Sequence, residues 1–231
     1  PAWLSVIIPT RNEARAIAAL VHFVRQQAGP ALADVWVVDA NSADRTAEHA
    51  EAAGARVLST AVASRAQQMN LGARHARGLV LYFVHADVQL RAGFVADIAE
   101  AVRKGSVAGC YRYVFDSPRL MLKVNAYFTR FDSIMCRGGD QTLFVVRQVF
   151  ESLGGFNEQF VVMEDYDFLL RLRKQHAFVI IPKDIIVSAR KYHRHAWLWV
   201  QMANLTAFIL FFLRVSPSKI KLVYRKFLPF Y

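Results

Sequence analysis

The stretch LVLYFVHADVQL, residues 79–90, decides the fold. Its first half is a run of β-forming residues too apolar to alternate between two faces, which predicts a strand buried on both sides. The run ends abruptly in His85 and Asp87. Because ligands of open parallel sheets bind beyond the carboxyl ends of the strands, these two side chains are candidate metal ligands. The alternative is that Asp87 caps a following helix and His85 packs on the sheet.

Strand and helix patterns alternate before this stretch. Apolar strand patterns at residues 5–9, 35–38 and 56–58 are each followed by a helical pattern. Such alternation predicts an α/β fold with a mostly parallel central sheet and helices on its faces. Later in the chain we predict helices at residues 94–103, at 120–131 and from Glu164, and strands at residues 107–115, 142–146, 178–181 and 185–188.

Size and composition indicate one folded domain. The chain has 231 residues, 55% of them hydrophobic, and no linker, repeat or low-complexity run interrupts it. We therefore predict a single domain over residues 1–231. Cys110 and Cys136 form no CxxC pair, and no signal peptide is visible, so we expect a reducing, cytoplasmic environment.

The formal charge of +11 indicates anionic partners. Charge alone does not distinguish nucleic acid, phospholipid headgroups and phosphorylated small molecules. No nucleic-acid-binding motif is present, and a nucleic-acid-binding module has no need of carboxylates at several strand ends. We therefore predict that nucleic acid is not a partner.

Acidic side chains recur where strands or loops end. Asp39 ends the second predicted strand, and Asp165 lies in the acidic cluster MEDYDF, residues 163–168. Ser42 and Asp44 compete with Asp39 for the cap of the next helix, which favours a ligand role for Asp39. The acidic cluster has the alternative role of complementing a helix N-terminus.

Five motifs follow one another along the chain. They are SVIIPTRNE (residues 5–13), VVDANSADRT (37–46), HAD (85–87), GGFNE (154–158) and MEDYDF (163–168). Each is weak alone, but their order and spacing together resemble those of the family 2 glycosyltransferases, which have the Rossmann-related GT-A fold. The resemblance covers almost the whole chain. It departs from the family pattern at His85, which stands in place of the first acid of an Asp-x-Asp motif.

The resemblance implies an inverting glycosyltransferase that moves a sugar from a nucleotide-diphosphate donor, UDP being the first choice, to an unidentified hydroxyl acceptor. It implies a nucleotide-binding half (residues 1–90), an acceptor and catalytic half (91–190) and a basic and apolar C-terminal helix and tail (191–231). The donor-binding residues that it implies are Pro9, Arg11, Asn12, Glu13, Asp39, Arg65, Asp87, Asp140, Arg190 and Lys191. We expect Asp39, Asp87 and Asp165 to surround one cavity.

Several of these assignments have structural alternatives. Arg65, with Gln68 and Asn70, has the alternative of a solvated face on a polar helix. Asp140 has the alternative of a plain turn. The basic run at residues 190–195 has the alternative of a solvated surface.

The departing diphosphate would carry negative charge, which Mn²⁺ or Mg²⁺ stabilises through hard oxygen ligands. The resemblance implies Asp87 as the main metal ligand, with His85 and His193 as further candidate ligands. The alternative role for His85 is contact with the ribose or with water. Histidine suits Mn²⁺ better than Mg²⁺.

The attacking hydroxyl must lose a proton, and a positioned carboxylate is the usual base. Glu164 and Asp165 are the candidates, but adjacent helical residues point about 100° apart, so only one of them faces the hydroxyl. The resemblance assigns the base to Asp165, with Glu164 in support.

Residues 196–213 are apolar almost throughout and have basic residues on both sides. Four placements fit this pattern: crossing a bilayer, lying on an anionic membrane surface, packing against a second subunit, or packing in the core. A membrane-bound enzyme, peripheral at the inner face of the cell membrane, would suit a lipid or lipid-linked acceptor.

Two other functional classes compete with a glycosyltransferase. A sugar nucleotidyltransferase normally needs a glycine-rich phosphate cradle, and residues 9–13 contain no glycine. A non-catalytic module binding nucleotide or anionic lipid would fit the positive charge. A dinucleotide dehydrogenase is disfavoured because no GxGxxG follows a predicted strand.

Overall fold

A mixed sheet forms the centre of the computed structural model, which describes residues 2–137 and 141–228. Within these residues the sheet has eight strands in the order β3-β2-β1-β4-β7-β6-β8-β5. The strands are β1 (Leu4–Thr10), β2 (Leu32–Asp39), β3 (Arg56–Ser59), β4 (Val80–Phe83), β5 (Val88–Gln89), β6 (Ala108–Phe115), β7 (Leu143–Val146) and β8 (Phe178–Val187). Strands β1 to β4 are mutually parallel, as are β6 and β8, whereas β7 runs antiparallel to β4 and β6, and β5 runs antiparallel to β8.

Helices cover both faces of the sheet and one of its ends. They are α1 (Ile17–Ala28), α2 (Thr46–Ala52), α3 (Arg65–His75), α4 (Phe94–Arg103), α5 (Leu120–Phe128), α6 (Arg147–Ser152), α7 (Glu164–Leu172), α8 (Arg190–Arg194), α9 (Trp197–Phe212) and α10 (Pro217–Phe227). This arrangement confirms the predicted α/β fold with a mostly parallel central sheet flanked by helices.

Strand β4 is buried on both faces, as its apolar sequence predicts. Tyr82 packs with α1 and α4 on one face, and Leu81 and Phe83 pack with α3, α6 and α7 on the other. All four residues of β4 are at most 3% exposed. A third apolar cluster, formed by α5, α8, α9 and α10, lies beyond the sheet.

The chain changes direction across the sheet between β1 and β4. Strands β2 and β3 lie on one side of β1, and the chain then returns to place β4 on the other side. Pairing with β4 stops at Ile7, whose carbonyl accepts a bond from the amide of Val84. Pro9 is the next residue of β1 whose backbone groups face β4, and a proline has no amide hydrogen to donate. The loops after β1 and β4 therefore diverge here, and such divergence creates the binding crevice of open α/β sheets.

Three details differ from the sequence predictions. Asp87 precedes the short strand β5 and not a helix, so the capping alternative for Asp87 is wrong. The two strands predicted at residues 178–181 and 185–188 form one strand, because Pro182 falls in a bulge opposite the Tyr111–Arg112 step of β6. Helix α5 ends at Phe128, where the hydroxyl of Thr129 bonds back to the carbonyl of Ala126.

Helix α9 contains 16 residues. At about 1.5 Å per residue it is shorter than the hydrocarbon core of a bilayer. In the part of the chain that the structure describes, no helix has the length and apolar character needed to cross a membrane.

Buried amides fix α3 against the carboxyl ends of β1 and β2. Nε2 of Gln68 donates to the carbonyls of Thr10, at 2.9 Å, and Val38, at 2.7 Å. The side chain of Asn70 exchanges hydrogen bonds with the backbone of Phe156. Gln68 and Asn70 are only 4% and 6% exposed, so the alternative of a solvated face is wrong for these two residues.

We predict that Gln68→Leu destabilises the protein by about 1–3 kcal/mol, because two buried hydrogen bonds are lost. Chemical denaturation measures the change. Gln67→Leu is the matched control, since Gln67 is the preceding residue of α3 and is only half-buried. Equal stability of the two variants would contradict the anchoring role of Gln68.

Candidate active site

The loops after β1 and β2 are held together by reciprocal hydrogen bonds. The amide of Asn12 donates to Oγ of Ser42 at 2.8 Å, and Oδ1 of Asn12 accepts from the amide of Ala43 at 2.8 Å. Asn12 and Asn41 both have positive φ, at 56° and 52°. Non-glycine residues rarely adopt this conformation, and it is maintained where surrounding contacts demand it. The two loops therefore form one ordered rim beside the crevice.

Asp39 is buried in this rim. Its carboxylate accepts hydrogen bonds from the hydroxyl of Thr10 at 3.2 Å, from the amide of Ser42 at 2.9 Å and from the hydroxyl of Ser42. The start of α2 is instead held by Asp44, which accepts from the amide of Thr46 at 3.1 Å. Asp39 is thus not needed as the cap of α2, although both of its oxygens already have protein donors.

A guanidinium joins the loops after β1 and β4. Arg190, the first residue of α8, donates to both carboxylate oxygens of Glu13, at 2.6 and 3.1 Å. The same side chain lies 3.4 Å from Oδ2 of Asp87. Asp87 and Arg190 remain partly open, with 37% and 47% of their side-chain surfaces exposed. Two carboxylates, from Glu13 and Asp87, and one guanidinium, from Arg190, therefore lie together at the carboxyl ends of β1 and β4.

The predicted metal ligands are only partly assembled. His85 and Asp87 are half-buried after β4, and His193 is exposed on α8. Among residues 2–137 and 141–228, no three His, Cys, Asp or Glu side chains are grouped closely enough to hold a metal ion. The structure therefore does not bring His85, Asp87 and His193 together as one preformed metal site.

Two adjacent acids begin α7. Met163, just before the helix, has a φ of 72°, a strained conformation for a non-glycine residue. Glu164 is 3% exposed and lies 3.7 Å from Nε of Arg65, the first residue of α3. Asp165 accepts a hydrogen bond from the amide of Tyr166 through Oδ1. Its Oδ2 is buried and accepts no hydrogen bond from any described residue.

The pKa values of Glu164 and Asp165 are both raised. Burial, and next the charge of Glu164, raise the pKa of Asp165 to about 7, against the lowering effect of Arg65. Burial also raises the pKa of Glu164, and Arg65 again opposes the shift. A carboxyl group with a pKa near neutrality can exchange a proton at physiological pH, which is the property required of a general base.

The acids of α7 line a cavity of about 540 Å³ between α5, α7, α8, α9 and α10. Its polar lining includes Arg65, Asn125, Lys191, Gln201 and Asn204, in addition to Glu164 and Asp165. Neither Asp39 nor Asp87 is among the described residues that line it. The grouping of Asp39, Asp87 and Asp165 around one bound donor therefore stays a prediction.

The predicted residues thus fall into two groups that α8 connects. One group, at the ends of β1, β2 and β4, contains Asn12, Glu13, Asp39, His85, Asp87 and Arg190. The other, at the cavity, contains Arg65, Glu164, Asp165 and Lys191. Because Arg190 and Lys191 are adjacent, one short helix contributes a cation to each group. Pro9 is buried in β1, Arg11 is exposed beside it, and Asp140 lies outside the described residues.

Sequence reasoning missed a polar chain across the C-terminal helices. Nζ of Lys191 donates to the hydroxyl of Tyr224 at 2.7 Å, and that hydroxyl donates to Oδ1 of Asn204 at 3.1 Å. A signal was present, since Gln201 and Asn204 interrupt an apolar stretch at helical spacing and hence share one face. The sequence pattern did not predict that Asn204 would bond to Tyr224 of α10.

Arg137 was also missed. It is 3% exposed, and its guanidinium donates to the carbonyls of Thr129 and Phe131 and contacts Sγ of Cys110 at 3.1 Å. The hydroxyl of Tyr166 donates to the carbonyl of Arg137. Arg137 therefore fixes one wall of the cavity to α7.

Several solved structures share the fold of this chain. A mannosyltransferase from Pyrobaculum calidifontis, solved with GDP-Man and Mn²⁺, has a TM-score of 0.71 at 20% identity, over 96% of this chain and 68% of that one. Glucosyl-3-phosphoglycerate synthase from Mycobacterium tuberculosis, solved with Mn²⁺, UDP and glucosyl-3-phosphoglycerate, has a TM-score of 0.62 at 16% identity, over 80% and 71% of the two chains. S. aureus TarS has a TM-score of 0.66 at 17% identity, over 98% and 70%.

Sequence comparison is more specific. No curated protein matches the chain. The model of the glycosyl transferase family 2 matches residues 5–154, which is more than half of the chain and includes the motifs SVIIPTRNE, VVDANSADRT and HAD. The chain therefore belongs to glycosyl transferase family 2.

Proposed function

We propose that this glycosyltransferase is metal-assisted and inverting, and that it moves a sugar from a nucleotide-diphosphate donor, UDP being the first choice, to an acceptor hydroxyl. One observation supports this proposal most strongly. The Oδ2 atom of Asp165 lacks a hydrogen-bond donor among the described residues, and Asp165 lines a cavity of about 540 Å³.

In the proposed reaction Asp165 is the general base. The acceptor hydroxyl gives its proton to Oδ2 while its oxygen forms a bond to the anomeric carbon. The bond from that carbon to the diphosphate oxygen breaks on the opposite side, with its electron pair leaving on the diphosphate. Direct displacement of this kind inverts the anomeric centre. Glu164 supports the base by holding Arg65, whose charge keeps the pKa of Asp165 from rising further.

The group at the ends of β1 and β4 is proposed to hold the diphosphate and its cation. Mg²⁺ and similar cations are often bound by one or two carboxylates together with substrate phosphates, so three preassembled protein ligands are not required. Asp87 fits this chemistry, because its carboxylate is partly exposed and its protein partner is the guanidinium of Arg190. His85 is a neighbouring candidate ligand. A bound Mn²⁺ or Mg²⁺ would stabilise negative charge on the departing diphosphate.

Nucleotide binding is proposed for residues 1–90. Arg190 would reach the diphosphate from α8, positioned by its two hydrogen bonds to Glu13. Asn12 and Asp39 shape the rim where the nucleoside would lie, with Pro9 and Arg11 beside them. Relatives of similar fold were solved with Mn²⁺ and either GDP-Man or UDP, which supports a nucleotide-diphosphate donor.

Acceptor binding is proposed for the cavity formed by the second half of the chain. Its lining combines the polar chain from Lys191 with apolar side chains such as Phe128, Met135 and Ala207. An amphiphilic acceptor matches this mixed surface better than a highly charged one. We therefore propose a lipid or lipid-linked acceptor.

We predict that Asp165→Asn lowers donor turnover at least about 100-fold, because the amide cannot accept the proton. Nucleotide affinity should stay within a few-fold, since Asp165 lies in the cavity group. Release of UDP from UDP-glucose and of GDP from GDP-mannose measures turnover with water as acceptor. Asp167→Asn, on the same helix, is the control and should retain turnover. Wild-type turnover in Asp165→Asn would show that another residue is the base.

We predict that Asp87→Ala removes the Mn²⁺-dependent part of nucleotide binding, because the main oxygen ligand is lost. The measurement is the rise in melting temperature on adding UDP or GDP, with and without Mn²⁺. Glu48→Ala removes an exposed carboxylate on α2 and serves as the control. An undiminished Mn²⁺-dependent shift in Asp87→Ala would refute the metal assignment.

A further inference from the structure

Helix α9 leaves an apolar stripe uncovered. Five side chains at successive three- and four-residue spacings lie on one face and are 42–62% exposed: Leu198, Met202, Leu205, Ile209 and Phe212. The residues that face the core, Val200, Ala203 and Ala207, are at most 3% exposed. A helix that is apolar on all sides is normally buried all round. This one is buried on one side only.

Helix α5 carries a second exposed apolar surface. Leu120, Val124, Tyr127 and Phe128 of α5 are 41–72% exposed, and Phe131, in the turn after α5, is 45% exposed. Both helices border the cavity that contains Asp165, because Phe128 of α5 and Asn204 of α9 line it. We call the exposed apolar side chains of α5 and α9 the apolar rim. Large exposed apolar surfaces of this kind mark interaction sites.

The sequence around the rim is predominantly basic, although the exposed Asp132, which pairs with Arg173, directly follows the α5 segment. Residues 185–231 contain eight Lys or Arg residues and no Asp or Glu, and residues 117–131 contain three Lys or Arg residues and no acid. Trp199 of α9 lies 5.7 Å from Phe227 of α10, measured between ring centroids. The basic end of α10, with Arg225 and Lys226, is therefore next to the stripe of α9.

We propose that the apolar rim binds the surface of an anionic phospholipid bilayer, with the mouth of the cavity toward the lipid. Interfacial helices combine apolar and aromatic side chains with Lys and Arg that bind anionic headgroups. A second copy of the chain is a less favourable partner for the apolar rim, because a symmetric interface would bring two positively charged surfaces together. The binding surface is independent of catalysis, but delivery of an acceptor from the bilayer to Asp165 rests on the proposed function.

Flotation of the full chain with lipid vesicles tests the proposal. The protein should float with vesicles that contain phosphatidylglycerol, and much less with vesicles of phosphatidylcholine alone or at high salt. The double variant Leu205→Gln/Ile209→Gln should reduce partitioning about tenfold or more, since apolar area on the rim is lost. Leu79→Gln is the matched control, because Leu79 is 70% exposed and precedes β4 at the opposite end from the site.

A charge variant tests the electrostatic part. Each cation near a lipid surface contributes about 1 kcal/mol, so Lys219→Gln/Arg225→Gln/Lys226→Gln should lower partitioning to anionic vesicles by about 100-fold. Arg15→Gln/Lys104→Gln/Lys174→Gln removes the same number of exposed cations from other parts of the chain and should have a much smaller effect. Equal losses in the two charge variants would mean that total charge, not this surface, drives binding and would overturn the proposal.

Donor hydrolysis without vesicles separates the two proposals. The Leu205→Gln/Ile209→Gln variant should hydrolyse UDP-glucose or GDP-mannose as the wild type does while failing to float. Flotation without hydrolysis in the wild type would refute the proposed function and leave the rim proposal standing. Absence of wild-type flotation with anionic vesicles, or a wild-type dimer by light scattering that becomes a monomer in the rim variant, would overturn the rim proposal.

Discussion

Two adjacent buried carboxylates opposed by one guanidinium are the electrostatic constraint on which the cavity depends. Ionisation of both Glu164 and Asp165 is unfavourable because they are buried and adjacent. The positive charge of Arg65 limits how far their pKa values rise. Arg65 is the first residue of α3, and Gln68 on the same helix is bonded to the ends of β1 and β2. The packing of α3 on the sheet therefore sets the position of the charge that tunes the acids of α7.

Helix α8 contributes a residue to each of the two groups of site residues. Its first residue binds Glu13 and lies near Asp87, and its second residue begins the polar chain to Tyr224 and Asn204. A helix of five residues thus links the carboxyl edge of the sheet to the C-terminal helices. If donor and acceptor occupy the two groups as proposed, α8 is the element that couples them.

Local sequence pattern was sufficient for the sheet and insufficient for the site. The apolar run of β4 and the alternation of strands and helices predicted a parallel core, because burial on both faces leaves no room for polar alternation. The order of the motifs predicted which acids are candidates for the site. It did not predict that α5, α8, α9 and α10 surround the cavity beside Asp165, since that depends on how these helices pack. Contacts between residues distant in sequence, such as Arg65 with Glu164 or Lys191 with Tyr224, leave no periodic signal.

The dependence of donor turnover on pH, compared between wild type and Arg65→Gln at saturating donor, tests the central claim most directly. Wild-type turnover should rise with pH through a midpoint near 7, as Asp165 loses its proton. Removing the guanidinium should raise that midpoint by about one unit, because both ionisations of the pair lose a stabilising positive charge. Arg74→Gln, an exposed cation on the same helix, should leave the midpoint unchanged. Identical midpoints in wild type and Arg65→Gln, or turnover that falls as pH rises through 7, would contradict the account.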